Sequence, residues 1–322
     1  NVYVTGESYG SGNRSNYATI KYNSAGVEQW TARYDGPGSF HDYAKAIAID
    51  DAGNVYVTGE SYGSGNRSDY ATVKYNSAGV EQWAARYDGP GSFHDYATDI
   101  AVDGAGNVYV TGRSGTETNP YYFDYATIKY SPAGVEQWAV RYNGPANGSD
   151  WAKAIAIDDA GNVYVTGGSD GSGIHPDYTT VKYNSTGVEQ WTARYNARDS
   201  DVADAIAIDD AGNVYVTGTS DGSEGDITNW DYATVKYSQG LEVAEEPESP
   251  SILVSTSLNR LSYNLPGEAQ FTLYSADGRR ILTETIEGKG TWVAPIGFPS
   301  GVYFARVEGG THSAKAKLVV LK

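Results

Sequence analysis

An all-β protein built from repeated four-stranded sheets is what this sequence predicts, and three observations predict it. The stretch Asp50-Asp51-Ala52-Gly53-Asn54-Val55-Tyr56-Val57-Thr58-Gly59 returns in phase at Gly104 to Gly112, Asp158 to Gly167 and Asp209 to Gly218, and its second half stands at Asn1 to Gly6. Recurrence about every 50 residues is the mark of a repeat architecture. The composition is rich in residues that suit pleated sheets and their turns, with 28 tyrosines and 39 glycines in 322 residues and no long helical periodicity. Each full copy also carries four strand signals separated by turn residues.

The first strand is Ala46-Ile47-Ala48-Ile49, a short apolar run expected to be buried on both faces. The turn Asp51-Ala52-Gly53-Asn54 supplies residues that tolerate positive φ, as a tight hairpin requires. Val55-Tyr56-Val57-Thr58 is the second strand and Tyr70 to Tyr75 the third. Asn76-Ser77-Ala78-Gly79 turns the chain into a fourth strand, Val80 to Tyr87, where Glu81, Trp83, Ala85 and Tyr87 are expected on one face. Four antiparallel strands repeated at this period predict the blades of a β-propeller. The small apolar first strand then lines the axis and the polar fourth strand forms the outer edge. Trp30, Trp83, Trp138 and Trp191 recur on that outer strand, each expected to pack between neighbouring blades.

The array, residues 1–240, has about five blades, the first and last incomplete. The first two copies are almost one sequence: residues 1–44 and 54–97 differ only at Asn16/Asp69, Ile20/Val73 and Thr31/Ala84. The first copy lacks the first strand, and Gly240 to Ala244 is a degenerate fourth strand in the last. Asn1 is expected to mark a processed end or a truncation. The segment 241–250, with Glu245-Glu246-Pro247-Glu248-Ser249-Pro250, reads as a linker. Beyond it, residues 251–322 show seven short strand signals: 252–254, 260–264, 269–274, 280–286, 290–294, 302–307 and 314–321. Turns are expected at Pro266-Gly267, Asp277-Gly278, Glu287-Gly288 and Glu308-Gly309-Gly310. That pattern predicts a small β-sandwich.

The repeat centred on Ala46 to Gly59 resembles the SBBP family of bacterial β-propeller repeats, over most of residues 1–238. The resemblance implies a secreted or surface-exposed bacterial protein. The tail is similar to the C-terminal sorting module of the type IX secretion system, a resemblance that implies an Ig-like β-sandwich over residues 251–322. The residues that carry this are Leu261-Ser262-Tyr263-Asn264-Leu265-Pro266, Phe271 to Arg279, Pro299-Ser300-Gly301-Val302-Tyr303-Phe304-Ala305-Arg306 and Ala316 to Lys322.

Charge and composition exclude several functions. Lys plus Arg number 23 against 40 for Asp plus Glu, a formal charge of −17. That opposes nucleic acid and anionic membrane surfaces, both of which need a basic footprint. No apolar run suits membrane insertion. Cysteine is absent, so disulfides, thiolate metal sites and cysteine nucleophiles are too.

Aspartates recur in three registers. Asp42, Asp95, Asp150 and Asp201 precede the first strands. Asp50, Asp103, Asp158 and Asp209 follow them. Asp69, Asp124, Asp177 and Asp231 precede the third strands. Capping of local backbone N–H groups is the leading account of them, and cation binding the second. No cofactor is required. Calcium suits the acidic glycine loops, with Asp170, Asp221, Glu224 and Asp226 as candidate ligands. His41 and His94 read as surface-loop histidines, and no nucleophile motif appears. The glycine-rich loop after the second strand varies between copies, which is where binding specificity is expected. Tyr62, Asn66, Arg67 and Tyr121 are the candidate ligand residues there, with surface glycans as candidate partners.

The expected function is a non-enzymatic extracellular or cell-surface structural or adhesive protein of a bacterium. One form of that expectation is self-association through the incomplete blades, since open sheet edges pair with further strands. The alternative is a lectin-like propeller binding glycans on one face. A polysaccharide-active enzyme stands third.

Overall fold

The Asp-x-x-Gly-Asn turn closes one hairpin in each of four sheets, and its chemistry explains why. Gly53, Gly106, Gly161 and Gly212 all take positive φ, between 76° and 82°. In the first, Gly53 N–H donates to the Asp50 carbonyl at 2.9 Å and Asp50 N–H to the Asn54 carbonyl at 3.1 Å. The Asp50 carboxylate accepts from Asn54 N–H, Asn54 Nδ2 and the Tyr56 hydroxyl at 2.8, 2.7 and 2.9 Å. Asp103, Asp158 and Asp209 repeat the arrangement. These aspartates are turn caps.

The computed structural model describes the chain apart from residues 11–13, 39, 64–66, 91–92, 117–121, 172–174, 197–199, 222–229, 239–252, 258–259, 276–278, 296–297, 300, 310–311 and 321–322. The chain divides into two compact units, Asn1–Gln239 and Gly240–Lys322.

The first unit holds five antiparallel sheets. Sheet one has three strands, β1 (Val2–Tyr9), β2 (Ser15–Tyr22) and β3 (Glu28–Tyr34). Sheet two has four, β4 (Asp42–Ile49), β5 (Val55–Tyr62), β6 (Ser68–Tyr75) and β7 (Glu81–Tyr87). Sheet three has β8 (Asp95–Val102), β9 (Val108–Gly115), β10 (Phe123–Tyr130) and β11 (Glu136–Tyr142). Sheet four has β12 (Asp150–Ile157), β13 (Val163–Asp170), β14 (Pro176–Tyr183) and β15 (Glu189–Tyr195). Sheet five has β16 (Asp201–Ile208), β17 (Val214–Asp221) and β18 (Trp230–Tyr237). Strand order in each sheet is sequence order, as the blade reading requires. The four-stranded sheets are propeller blades and the three-stranded ones are incomplete blades.

Successive sheets are joined by the same contacts four times. The hydroxyls of Tyr17, Tyr70, Tyr125 and Tyr178 donate to the carbonyls of Ala71, Ala126, Thr179 and Ala233 in the next sheet, at 3.2–3.3 Å. Trp30, Trp83 and Trp138 donate Nε1–H to the Ser77, Pro132 and Ser185 carbonyls of the next sheet, at 3.1–3.2 Å. The tryptophans therefore lie between blades as the sequence predicts. The first strands of sheets two to five lie against one another in succession, which puts them innermost.

One expectation for the blade needs correction. The first strand Ala46 to Ile49 is not buried on both faces, and Ile49 is 44% exposed, whereas Ile100, Ala154 and Ile155 in sheets three and four are buried. One side of an inner strand looks toward the axis, so it has a neighbour on one side only. Along the fourth strand Trp83, Ala85 and Tyr87 pack on one face against the same core, as expected. Register slips only at its start, where Lys74 pairs with Trp83 and Tyr75 with Glu81, and such a bulge sets Glu81 apart from that face.

A second bulge explains the glycine that ends the repeat motif. Between Ala44 and Ala46 the pairing with β5 slips by one residue. The kink brings the Tyr43 carbonyl so close to Gly59 that a Cβ there would collide with it. Gly112, Gly167 and Gly218 meet Tyr96, Trp151 and Val202 in the same way. Only glycine permits such close backbone approach.

The second unit differs from the expected seven short strands. Among the described residues it has five: β19 (Leu253–Ser257), β20 (Arg260–Ser275), β21 (Arg280–Val293), β22 (Gly301–Gly309) and β23 (His312–Val320), joined in one antiparallel sheet. The dipeptides Pro266-Gly267 and Glu287-Gly288 read as turns. The chain instead runs through both, with register lost between Asn264 and Glu268 and Gly288 at φ 62°. A bulge tolerates proline, whose missing N–H breaks the ladder there anyway. Ala269, Phe271, Leu273, Ile286, Trp292, Tyr303, Ala305 and Val307 form its core. Among the described residues there is no helix long and apolar enough to cross a membrane.

Candidate functional site

Antiparallel order sends two kinds of loop to one end of the array: those after second strands and those leading from a fourth strand into the next sheet. Glu60 and Tyr62 are two residues apart on β5, hence on one side of it. The loop into β8 brings His94 to Tyr62, with ring centroids 6.2 Å apart at 71°. His94 stacks on Tyr96 at 5.8 Å and 11°. Tyr96 meets Phe123 at 5.8 Å, and Phe40 meets Tyr62 at 5.9 Å. The result is a continuous aromatic row, Phe40–Tyr62–His94–Tyr96–Phe123, drawn from sheets two and three and the loops that lead into them.

Charged groups edge this row. The Arg113 guanidinium lies over both Tyr96 and Phe123, at 4.6 and 5.0 Å, and that of Arg67 over Phe93 at 4.9 Å. Such cation–aromatic contacts hold long side chains in place. Glu60 pairs with Lys45 at 3.5 Å. Burial raises the Glu60 pKa despite Lys45 and Arg113. His94 Nδ1 accepts from Ser68 N–H at 3.2 Å, so the neutral ring carries its proton on Nε2. Burial first, then Arg67, lowers its pKa. His94 and His41 are half-buried and hold the start of a third strand, His41 through Ser15 N–H at 3.0 Å. Both lie in loops, as the sequence reading has them, and each also anchors a neighbouring strand.

The neighbouring blade carboxylates each engage at least one partner, although Asp42 Oδ1, Asp124 Oδ1 and Asp150 Oδ1 are buried without one. Asp42, Asp95 and Asp150 accept from Gly36, Gly89 and Gly144 N–H at 2.9, 2.8 and 2.6 Å. Asp69, Asp124 and Asp177 pair with Arg86, Arg141 and Arg194 at 2.7–2.9 Å. Oxygens of Asp69, Asp88 and Asp95 lie within 4.8 Å of one another. Asp95 also accepts from Gly115 N–H at 3.2 Å. With Asp95 held by two amides and Asp69 by an arginine, this trio is an interlocked part of the blade joint. Burial pushes Asp95 up to about 6, with Asp69 and Asp88 adding to the rise. Asp150 is likewise pushed up by burial to about 6.

At the opposite end, the hairpin turns of sheets two and three flank a polar cleft of about 390 Å³. Asp50, Tyr56, Lys74, Asp103 and Pro132 line it. Lys74 Nζ sits 5.0 Å over the Tyr56 ring and donates to the Pro132 carbonyl at 3.3 Å. Desolvation opposes ionisation of Asp50, yet the bonds from Asn54 and Tyr56 prevail and its pKa is lowered.

Of the residues singled out in the sequence, Tyr62 and Arg67 lie at the aromatic row, while Asn66 and Tyr121 fall outside the described residues. Asp170 Oδ2 accepts from Ser149 N–H at 2.7 Å, a cap between β13 and the loop into β12. Asp221 ends β17. Glu224, Asp226 and the fourth-strand segment 240–244 fall outside the described residues. Sequence reasoning missed Phe40, Glu60, Tyr96, Arg113 and Phe123. The period-2 spacing of Glu60 and Tyr62 is the signal that pointed to two of the row's neighbours.

The beta-propeller repeat model SBBP matches residues 29–66, 86–117, 137–175 and 190–226. The chain carries SBBP beta-propeller repeats in four places. Each SBBP match begins on the outer strand of one sheet and ends beyond the second strand of the next, so it spans one blade joint. An uncharacterised WD repeat-containing protein of Acanthamoeba polyphaga mimivirus is 28% identical over 148 residues, 39% of this chain. The match spans a tenth of that protein's length. Among solved structures, an ACO/RPE65 chimera is similar at TM-score 0.37 and 9% identity, over 94% of this chain and 72% of that one. A tryptophan-to-alanine mutant of Synechocystis apocarotenoid oxygenase is similar at TM-score 0.33, with the same identity and coverage. Likenesses this distant carry no argument about chemistry. The SBBP repeats and the WD-repeat relative support a repeat-based protein-interaction fold.

Proposed function

We propose that this chain is a non-enzymatic extracellular or cell-surface repeat protein of a bacterium, structural or adhesive, whose SBBP repeat array associates head to tail with further copies. One observation carries the reading. Tyr17, Tyr70, Tyr125 and Tyr178 are at most 1% exposed, each covered by the next sheet, while Tyr232, their counterpart in sheet five, is 85% exposed. On sheet one, Val2 and Val4 are 57% and 49% exposed, where Val55, Val57, Val108 and Val110 are fully covered. These are the two halves of a joint the molecule already makes four times. Ala18 on sheet one is the carbonyl position that corresponds to Ala71, Ala126 and Ala233. A heterologous contact of this kind gives rings or filaments. The second unit is proposed to serve secretion, on its similarity to the type IX sorting module. The absence of an enzymatic role is also part of the proposal. It is supported by the blade carboxylates, which are held in caps and arginine pairs.

Light scattering and negative-stain imaging of the full chain test this. Concentration-dependent oligomers, lost on Tyr232→Asp or Val4→Asp, are expected. A strictly monomeric particle at high concentration would sink the proposal.

A further inference from the structure

We infer that the aromatic row between sheets two and three is a carbohydrate-binding site, with Tyr62 as its stacking platform and Tyr96, already covered by His94 and Arg113, as its wall. A pyranose ring offers an apolar C–H face and a rim of hydroxyls. Its recognition calls for aromatic faces flanked by a few fixed polar groups, and the row has both.

The platform is rigid before any ligand arrives. Tyr96 is fixed between His94 and Phe123, and Tyr62 between Phe40 and His94. His94 is held through Nδ1 by Ser68 N–H and faces Ser68 Oγ at 3.0 Å. Its Nε2–H has no partner among the described residues, which leaves a donor between the two tyrosines. Arg113 contacts its neighbours through its ring-facing plane and is at ion-pair distance from no carboxylate among the described residues, so its edge N–H groups remain available. Glu60, from the same side of β5 as Tyr62, supplies an acceptor. Pre-organisation of this kind lowers the ordering cost of binding.

The near-duplicate copy is a built-in comparison. In the gap between sheets one and two, Glu7, Tyr9, His41 and Tyr43 stand where Glu60, Tyr62, His94 and Tyr96 stand here, and His41 stacks on Tyr43 at 5.8 Å. Beside Tyr43, however, Ser68 and Glu60 replace Phe123 and Arg113. Tyr9 is 70% exposed. The first gap therefore lacks the far wall of the second. The gap between sheets three and four has Arg113 and Gly115 where Glu60 and Tyr62 would be, so it has no platform. This inference does not depend on head-to-tail association, because the row sits at the loop end rather than on the outer faces of the array.

The test is an array of oligosaccharides, neutral (cello-, manno-, xylo- and malto-hexaose) and acidic (oligogalacturonate and oligoguluronate), followed by calorimetry of hits on the full chain. One equivalent per chain is expected. Tyr62→Ala, Phe40→Ala and Arg113→Gln should each weaken binding at least tenfold, with thermal melts confirming that the variants fold. Tyr9→Ala should bind as the unaltered chain does. A preference for the acidic arm would assign Arg113 to a carboxylate, and a preference for the neutral arm to ring hydroxyls. Silence across both arms overturns the site. So does wild-type binding by folded Tyr62→Ala and Phe40→Ala, or an equal loss in Tyr9→Ala.

Discussion

At the scale of single residues, the buried aspartates make stability depend on pH. Asp95 and Asp150 are 1% and 0% exposed, and burial pushes both up to about 6. The folded state thus holds these protons more tightly than the unfolded chain, whose aspartates titrate near 3.9. The stabilisation is complete below about pH 4 and is lost as pH rises through 6, by roughly 3 kcal/mol per carboxyl before coupling. Asparagine stays neutral and keeps an acceptor for Gly89 or Gly144 N–H. Urea midpoints of Asp95→Asn/Asp150→Asn should therefore vary less between pH 4 and 7 than those of the unaltered chain. Identical slopes would mean that neither carboxyl is perturbed. The recurrence of these aspartates was legible in the sequence. Their burial was not, because it comes from the next sheet closing over them.

At the scale of the element, the terminal glycine of the motif separates local from tertiary demands. Gly6 and Gly59 stand in the same Val-Tyr-Val-Thr-Gly context. Gly59 meets the Tyr43 carbonyl at the β4 bulge, whereas nothing lies within 4 Å of a Cβ placed on Gly6. Gly59→Ala should cost roughly 1–3 kcal/mol through backbone displacement. Gly6→Ala should be neutral or slightly stabilising, since it removes unfolded-state freedom without strain. Thermal unfolding of the two variants checks this, and equal effects would refute it. Gly134 should be more demanding still. Its φ is +79° and a Cβ would stand 2.6 Å from Trp83 Cδ2, so Gly134→Ala is expected to cost roughly 3 kcal/mol or more. The turn glycines were readable from hairpin chemistry. The bulge was not, because it appears only when β4 is set against β5.

At the scale of the whole molecule, the joint between sheets repeats, and so should its energetics. Tyr70→Phe removes a buried hydroxyl bonded to the Ala126 carbonyl and should cost about 1 kcal/mol in chemical unfolding. Tyr232→Phe should leave the monomer's unfolding unchanged, because that ring is 85% exposed. Its effect should fall on association instead, measured as a shift of the sedimentation boundary toward monomer. If Tyr232→Phe destabilises the isolated chain as much as Tyr70→Phe, sheet five is covered from within the same molecule. The number of sheets and their order followed from the period. The exposure at both outer faces required seeing which side of each sheet its neighbour covers.

In the first unit the sheets, their strand order, the hairpin turns and the inter-blade tryptophans are all legible along the chain. Each of these depends on neighbours along the chain: the period-2 pleat, positive-φ turn residues and a motif repeated in phase. Only the tertiary structure decided which side chains from different copies meet. Tyr62 reaches His94, Tyr96 reaches Phe123, and the Tyr43 carbonyl reaches Gly59, across segments that no local pattern connects. Pro266 and Gly288 make the same point in the second unit, where two residues that signal turns are carried through long strands by their partners. Local preference proposes a break, and pairing along the rest of the ladder overrides it.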